Sequence, residues 1–219
     1  RLSADGVACA YIGKWHLDAG DYFGNGICPD GWDPDYWYDM KNYLDELSDE
    51  DKLLSRKADP RVTPIAEEFT FGWRVTQRAL KFIQAHRDED FFLVVSYDEP
   101  HDPGLCPEPY ASMYQDVELP KNAAHFDTLE NKPLLQKLWG ERNMTKEAEQ
   151  QPLKPVRLLG CNSYADDLIG RVMAAARADA RRAQAVHLRP RRCHGRAPAV
   201  CQGALHIRRN RARAADDGR

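Results

Sequence analysis

Tyr11-Ile12-Gly13-Lys14-Trp15-His16-Leu17 closes an apolar run that begins at Val7. An apolar run ending in glycine predicts a buried strand that stops at a loop. Lys14 and His16 then stand at the strand's C-terminal end, where open α/β sheets gather their chemistry. Side chains two apart on an extended backbone share a face. Lys14 and His16 can therefore address one anion together, while Trp15 turns away into packing. The plainer alternative is a lysine and a histidine on an ordinary polar loop, and the rest of the chain weighs against it.

A second stretch repeats the pattern. Phe91-Phe92-Leu93-Val94-Val95-Ser96-Tyr97 is apolar at consecutive positions, so it predicts a strand covered on both faces, in the middle of a sheet. The segment Trp73–Arg87 before it reads as an amphipathic helix, with Trp73, Thr76, Leu80, Ile83 and His86 near the 3.6-residue period. A helix leading into a buried strand argues for α/β order and parallel pairing. Directly after the strand come Asp98-Glu99-Pro100-His101-Asp102-Pro103, a second polar cluster at a strand's C-terminal edge.

The chain has 219 residues, enough for one domain with a sizeable core or for part of a larger one. It carries no apolar leader and no run of membrane-spanning length, which predicts a soluble protein, although it starts at Arg1 and the true N-terminus is expected upstream. Its compartment is left open. Six cysteines are scattered without a C-x-x-C pair, so neither a zinc site nor a disulfide framework is signalled. The net charge of −3 hides a break. Residues 174–219 hold 12 Arg, no Lys and 3 Asp, a net of +9, which leaves −12 on residues 1–173.

Between these landmarks the signals are weaker. Asp18–Asp39 is a loop rich in Gly, Asp and aromatics, able to line a pocket or to cover the core. Lys41–Lys57 reads as a solvated helix, and Pro60 and Pro64 mark a linker. Pro107–Tyr114 reads as a short helix with proline in its first turn. From Val156 a helical period resumes through Leu159, Tyr164, Leu168, Ile169, Val172 and Met173.

The opening heptapeptide resembles the G-K-W-H-L-G signature of the sulfatase family, within the alkaline-phosphatase-like superfamily, with Asp18 where the family has glycine. The second stretch, with Phe91-Phe92-Leu93 and then Pro100-His101-Asp102-Pro103, resembles the family's F-F-L…P-H-x-P block, and the 85 positions from His16 to His101 match the family's spacing. Tyr164-Ala165-Asp166-Asp167-Leu168-Ile169-Gly170-Arg171-Val172 resembles the family's Y…D…I-G-R-V helix, which packs on the sheet. The resemblance covers residues 1 to about 173. It implies part of an α/β domain, an alkaline-phosphatase-like sandwich with a mostly parallel central sheet and helices on both faces. It also implies hydrolysis of a sulfate ester, of a small molecule or a glycan, by a formylglycine hydrate with a divalent cation, usually Ca²⁺. By the same resemblance Lys14 and His101 would bind sulfate oxygens, and His16 would contact the formylglycine hydroxyls and assist proton transfer.

Parts of that machinery are missing from the sequence. No C-x-P-x-R run occurs; Cys28-Pro29 lacks the spacing and Cys106-Pro107 lacks the Arg. The family's Asp-Asp metal pair would lie upstream of Arg1. Asp166-Asp167 falls on the packing helix, so no metal site is expected here, and the fragment is expected to be inactive. His86 and His125 read as surface or packing residues. Beyond Ala174 hydrophobic periodicity is lost, which predicts a disordered tail. Read one base further on, the codons permit Y-T-S-D-H-G from Val186 and E-E-I-A-R-V-P-L-M from Arg208. These strings resemble, in order, the family's D-H-G metal block and its R-V-P-L strand, so the tail reads as out of frame. Two alternatives stand beside the sulfatase reading. One is a phosphonate or phosphate-ester hydrolase of the same superfamily. The other is a non-catalytic protein that binds nucleic acid through its Arg-rich tail, which the lack of Lys and of aromatics there disfavours. No nucleic-acid or membrane partner is expected.

Overall fold

Strands β1 (Ala8–Gly13) and β2 (Phe91–Ser96) run parallel, in a register that sets Ala8 opposite Phe91 and Gly13 opposite Ser96. Both strands therefore stop at the same level, and the polar residues that follow them emerge side by side. The computed structural model describes residues 2–17, 23–57, 63–143 and 151–178, with the backbone of 183–190 and 203–210. Asp18, Tyr22, Pro60 and the remainder of the tail lie outside the described residues.

Continuous apolar runs need cover on both faces, and the two faces find different covers. Ala10, Ile12, Leu93 and Val95 lie in the main core with residues of three helices: α1 (Met40–Asp45), α3 (Phe71–Ala85) and α5 (Val156–Arg177). Tyr11 and Val94, on the opposite face, pack with Trp37, against which Trp15, Trp32 and Phe92 also rest. Tyr11 meets Trp15 edge-on at 4.8 Å, so Trp15 does turn into packing. The sequence predicts helices on both faces. Among the described residues the second face is covered by loop aromatics instead, because Trp15, Trp32 and Trp37 supply the apolar area a helix would have brought. The loop thus mainly covers the core.

Helix α3 starts at Thr70, whose hydroxyl accepts from the Trp73 amide. Its buried face is Gly72, Val75, Thr76, Ala79, Phe82 and Ile83, with Phe71. The expected face is one position off: Trp73 and Leu80 sit at its margins, because the side that meets the sheet and α5 is built from smaller residues that allow close approach. Tyr97 reaches Thr76 at 2.9 Å and Tyr164 reaches Thr70 at 2.7 Å, so two buried phenols find hydroxyl partners at this helix and its cap. Helix α5 packs along α3 through Tyr164, Leu168 and Val172, as its period predicts. The charged segment forms α1, capped by Asp39 and Asn42, and then α2 (Asp49–Lys57). Residues 107–114 form hydrogen-bonded turns rather than the expected helix. A further helix, α4 (Leu134–Asn143), follows.

Helix α5 runs past Met173 to Arg177, and strands β3 (Ala183–Pro190) and β4 (Gly203–Asn210) join the sheet in the order β1-β2-β4-β3. β4 pairs antiparallel with β2, setting Ser96 opposite Ala204 and Phe92 opposite Arg208, and β3 pairs antiparallel with β4. The sheet is thus a parallel β1–β2 pair with two antiparallel strands beside it. The free edge of β2 is that of a buried strand whose amides and carbonyls require partners. Leu205 and Ile207 alternate with His206, the spacing of a strand. Among the described residues no helix is long and apolar enough to cross a membrane.

Candidate active site

The end of β1 is fixed by its glycine. Gly13 has φ +122°, and a Cβ on it would fall 1.9 Å from the Ser96 carbonyl oxygen. Only glycine lets the two strand ends approach this closely. The Lys14 amide donates to that Ser96 oxygen at 2.8 Å, and the Tyr11 hydroxyl donates to the Lys14 carbonyl at 2.7 Å. The lysine backbone is thereby pinned from both sides before its side chain does anything.

That side chain is 3% exposed and its Nζ donates to Asp98 Oδ1 at 2.6 Å, across the gap between the two strand ends. Burial pulls the ammonium pKa down, and the charges of Asp98 and Glu99 resist it. A cavity of about 240 Å³ opens beside this pair. Asp98, Glu99, His101 and Asp102 from the β2 loop line it, together with Arg56 of α2. Its apolar wall includes Phe23, Phe71 and Leu105, and the Arg56 guanidinium lies 5.1 Å from the Phe23 ring centre. His101 Nδ1 donates to the Asp102 carbonyl at 2.9 Å. Its Nε2 can then donate to an anion only in the imidazolium form.

Of the three histidine and lysine positions singled out in the sequence, His101 lines the cavity, and Lys14, which is not in its lining, reaches Asp98, whose carbonyl accepts from the His101 amide at 2.8 Å. His16 is exposed just beyond Trp15 and is not part of the cavity lining among the described residues. The sequence alone assigns no role to Asp98, Glu99, Arg56 or Phe23. The first two carry a signal, being the first charged residues after a buried strand. Arg56 and Phe23 carry none, since only the folding of α2 and the loop brings them here. Asp166-Asp167 sits on α5, where Asp167 pairs with Arg171 at 2.8 Å and Arg171 pairs with Glu67 at 2.8 Å. That network ties helix to turn and is structural. His86 packs against Tyr36 and Phe82.

Glu99 is the most unusual group in the site. It is 8% exposed, Oε1 accepts from the Gly72 amide at 2.7 Å at the start of α3, and Oε2 is buried without a hydrogen-bond partner. Burial pushes its pKa up to about 7, and Asp98 adds to this, while the backbone amides of Glu99, Gly72 and Asp98 pull the other way. The unfolded chain loses this proton near the ordinary value of about 4.3. Between those two values the folded state binds more protons, so stability falls as pH rises through the window and levels off above it. Glu99→Gln is expected to remove that decline. With the two proteins referenced to equal stability near pH 3, below both values, the Gln variant should be ahead by on the order of 3 kcal/mol at pH 8 in urea denaturation.

No group of three or more His, Cys, Asp or Glu among the described residues is placed to hold a metal ion. Asp98, the carboxylate nearest the lysine, is already engaged with it. The described residues do not make a divalent-cation site. Cys9, Cys28, Cys106 and Cys161 are free thiols.

A family model described as Sulfatase matches residues 2–186. The chain belongs to the sulfatase family. It is also similar to a relative from Escherichia coli (strain K12) named as the uncharacterized sulfatase YidJ, at 41% identity over 177 residues. That match takes in 78% of this chain and 36% of the relative, so the chain spans about a third of the length of the sulfatase it matches. The family is one of hydrolases, generally dependent on divalent cations, and the α/β arrangement around β1 and β2 accords with it.

Proposed function

We propose that the site at the ends of β1 and β2 is the sulfate-binding half of a sulfuric ester hydrolase of the formylglycine and divalent-metal type, Ca²⁺ being the cation. The observation that carries this reading is the 2.6 Å contact that joins Lys14 to Asp98, which opens the His101 loop and lines the cavity with it. A sulfuryl group in transfer gathers negative charge on its peripheral oxygens, and donors fixed in advance stabilise it without reorganising. Lys14 is fixed in advance by the Tyr11 and Ser96 hydrogen bonds. In this reading Lys14 and the imidazolium form of His101 bind sulfate oxygens, with Lys14 exchanging part of its contact with Asp98 for the anion. His16 supplies proton transfer at the mouth of the site. The ester oxygen and its alcohol face the cavity. The substrate is a sulfate ester of a small molecule or glycan.

No formylglycine precursor run is present in these 219 residues, and no cation site is formed among the described ones. The chain by itself is therefore expected to bind sulfate and not to turn over. Incubation with 4-nitrophenyl sulfate and Ca²⁺ tests this. The expected release of nitrophenol equals that of a Lys14→Ala control, and release above that control contradicts the proposal of inactivity.

We also propose that residues 174–219 are translated out of frame. β3 and β4 need only an alternating apolar run and backbone groups to pair on β2, which such a run provides whatever its origin. Sequencing the gene across the Ala174 codon is expected to reveal an insertion or deletion, and an uninterrupted frame supported by independent reads contradicts it.

A further inference from the structure

Arg56 lines the cavity from α2, an element that sulfate binding does not use. Its place in the last turn of that helix suits any cation. What singles it out is its surroundings. Lys52, one turn earlier, pairs with Asp49 at 3.3 Å, whereas no carboxylate among the described residues pairs with Arg56. Its guanidinium carbon lies over the Phe23 ring instead, 5.1 Å from the centre. A guanidinium laid on an aromatic ring has one face covered, while its N–H edge keeps the fork that fits a carboxylate. The ring itself is fastened. Gly24, next to Phe23, has φ +74°, and a Cβ there would collide with the Asp39 carboxylate. The same carboxylate accepts from the Gly26 amide at 2.9 Å, and Asp39 is fully buried at the cap of α1. The platform under Arg56 is thus built into the fold, and the side chain on it is exposed to an incoming ligand.

His101 lines the same cavity from the loop after β2. The carboxylates of that loop are engaged elsewhere or face solvent: Asp98 is held by Lys14 at 2.6 Å, Glu99 accepts from the Gly72 amide at 2.7 Å, and Asp102 is exposed. Met40, Leu44, Phe71 and Leu105 make much of the remaining wall. Two cationic positions on different elements, with apolar surface in one cavity, suit a ligand with an anion at each end of a flat body. The sulfate accounts for one end only. At about 240 Å³ the cavity is smaller than the usual range for drug-sized ligands and has room for one ring.

We propose that Arg56 is a specificity-determining residue, whose guanidinium, seated on Phe23, takes a carboxylate carried by the alcohol part of the ester, so that the cavity selects sulfate esters of acidic single-ring alcohols over neutral ones. The inference rests on the sulfate-ester reading of the His101 loop. Arg56 answers for the carboxylate and that loop for the sulfate, so the two can fail separately.

Calorimetric titration of the 219-residue chain with 4-carboxyphenyl sulfate and its neutral isostere 4-carbamoylphenyl sulfate, each with and without competing inorganic sulfate, tests it. The carboxylate ester is expected to bind about tenfold more tightly, the worth of one charge-assisted pair at an exposed edge. Inorganic sulfate is expected to displace both esters. Arg56→Gln, at an exposed position that the core does not use, is expected to bring the ratio of the two affinities to about one. Arg56→Lys keeps the charge without the fork and is expected to give an intermediate ratio. Equal affinity for the two esters in the parent, or a preference that survives in Arg56→Gln, overturns the role of Arg56 alone when inorganic sulfate still displaces both. Esters that do not bind, or that inorganic sulfate does not displace, overturn the sulfate-ester reading and this inference with it.

Discussion

Gly13→Ala is expected to destabilise the chain by about 3 kcal/mol or more. Two costs add. The backbone at φ +122° is one that residues with a Cβ adopt only under strain, of order 1–3 kcal/mol. The new methyl also meets the Ser96 carbonyl oxygen at 1.9 Å, a backbone atom that cannot step aside without opening the β1–β2 pairing. Relief of the clash must separate the strand ends, and with them the Lys14 amide from Ser96 and the Lys14 ammonium from Asp98. Urea denaturation monitored by tryptophan fluorescence checks the prediction, since Trp15, Trp32 and Trp37 all lie on the far face of the same strands. A midpoint within experimental error of the parent contradicts the geometry given for Gly13.

Lys14→Ala is expected to abolish sulfate binding and to cost about 3 kcal/mol of stability. The stability loss arises because removal of one member of a buried pair strands the other. Asp98, 15% exposed, would face the buried Glu99 with no counter-charge nearby from β1. Replacing both partners with neutral residues of similar shape separates the two effects. Lys14→Met combined with Asp98→Asn is expected to recover most of the stability and none of the sulfate affinity. Denaturant midpoints and sulfate titration on the three proteins give the answer. If the double variant binds sulfate as the parent does, Lys14 is a structural lysine and nothing more.

Sequence legibility follows from the kind of signal each element carries. β1 and β2 are legible because a strand buried on both faces writes itself as consecutive apolar residues, and their C-terminal ends mark where Lys14 and the His101 loop emerge. Helix α5 is legible from Tyr164, Leu168 and Val172 at regular spacing. The face of α3 reads one position off because its buried side is made of Gly72, Thr76 and Ala79, small or polar residues that a hydrophobic pattern passes over. The covering of the second sheet face by Trp15, Trp32 and Trp37 is not legible, since aromatics in a Gly-rich loop have no period. β4 is hidden because its charge and arginine content outweigh the short alternation of Leu205 and Ile207. In the site, the pairing of Lys14 with Asp98 joins residues 84 positions apart and depends wholly on strand register. Glu99 looks like one more acid in a polar loop, and only its burial against Gly72 sets it apart.

The proposed sulfate subsite joins two loops that are distant in sequence. Amide chemical shifts of the isotope-labelled chain, followed through a titration with sodium sulfate against sodium chloride at matched ionic strength, test it most directly. The predicted result is that amides of residues 14–17 and 98–104 move together and fit a single Kd. Movement confined to the arginine-rich residues beyond 174, or no movement at all, would contradict it.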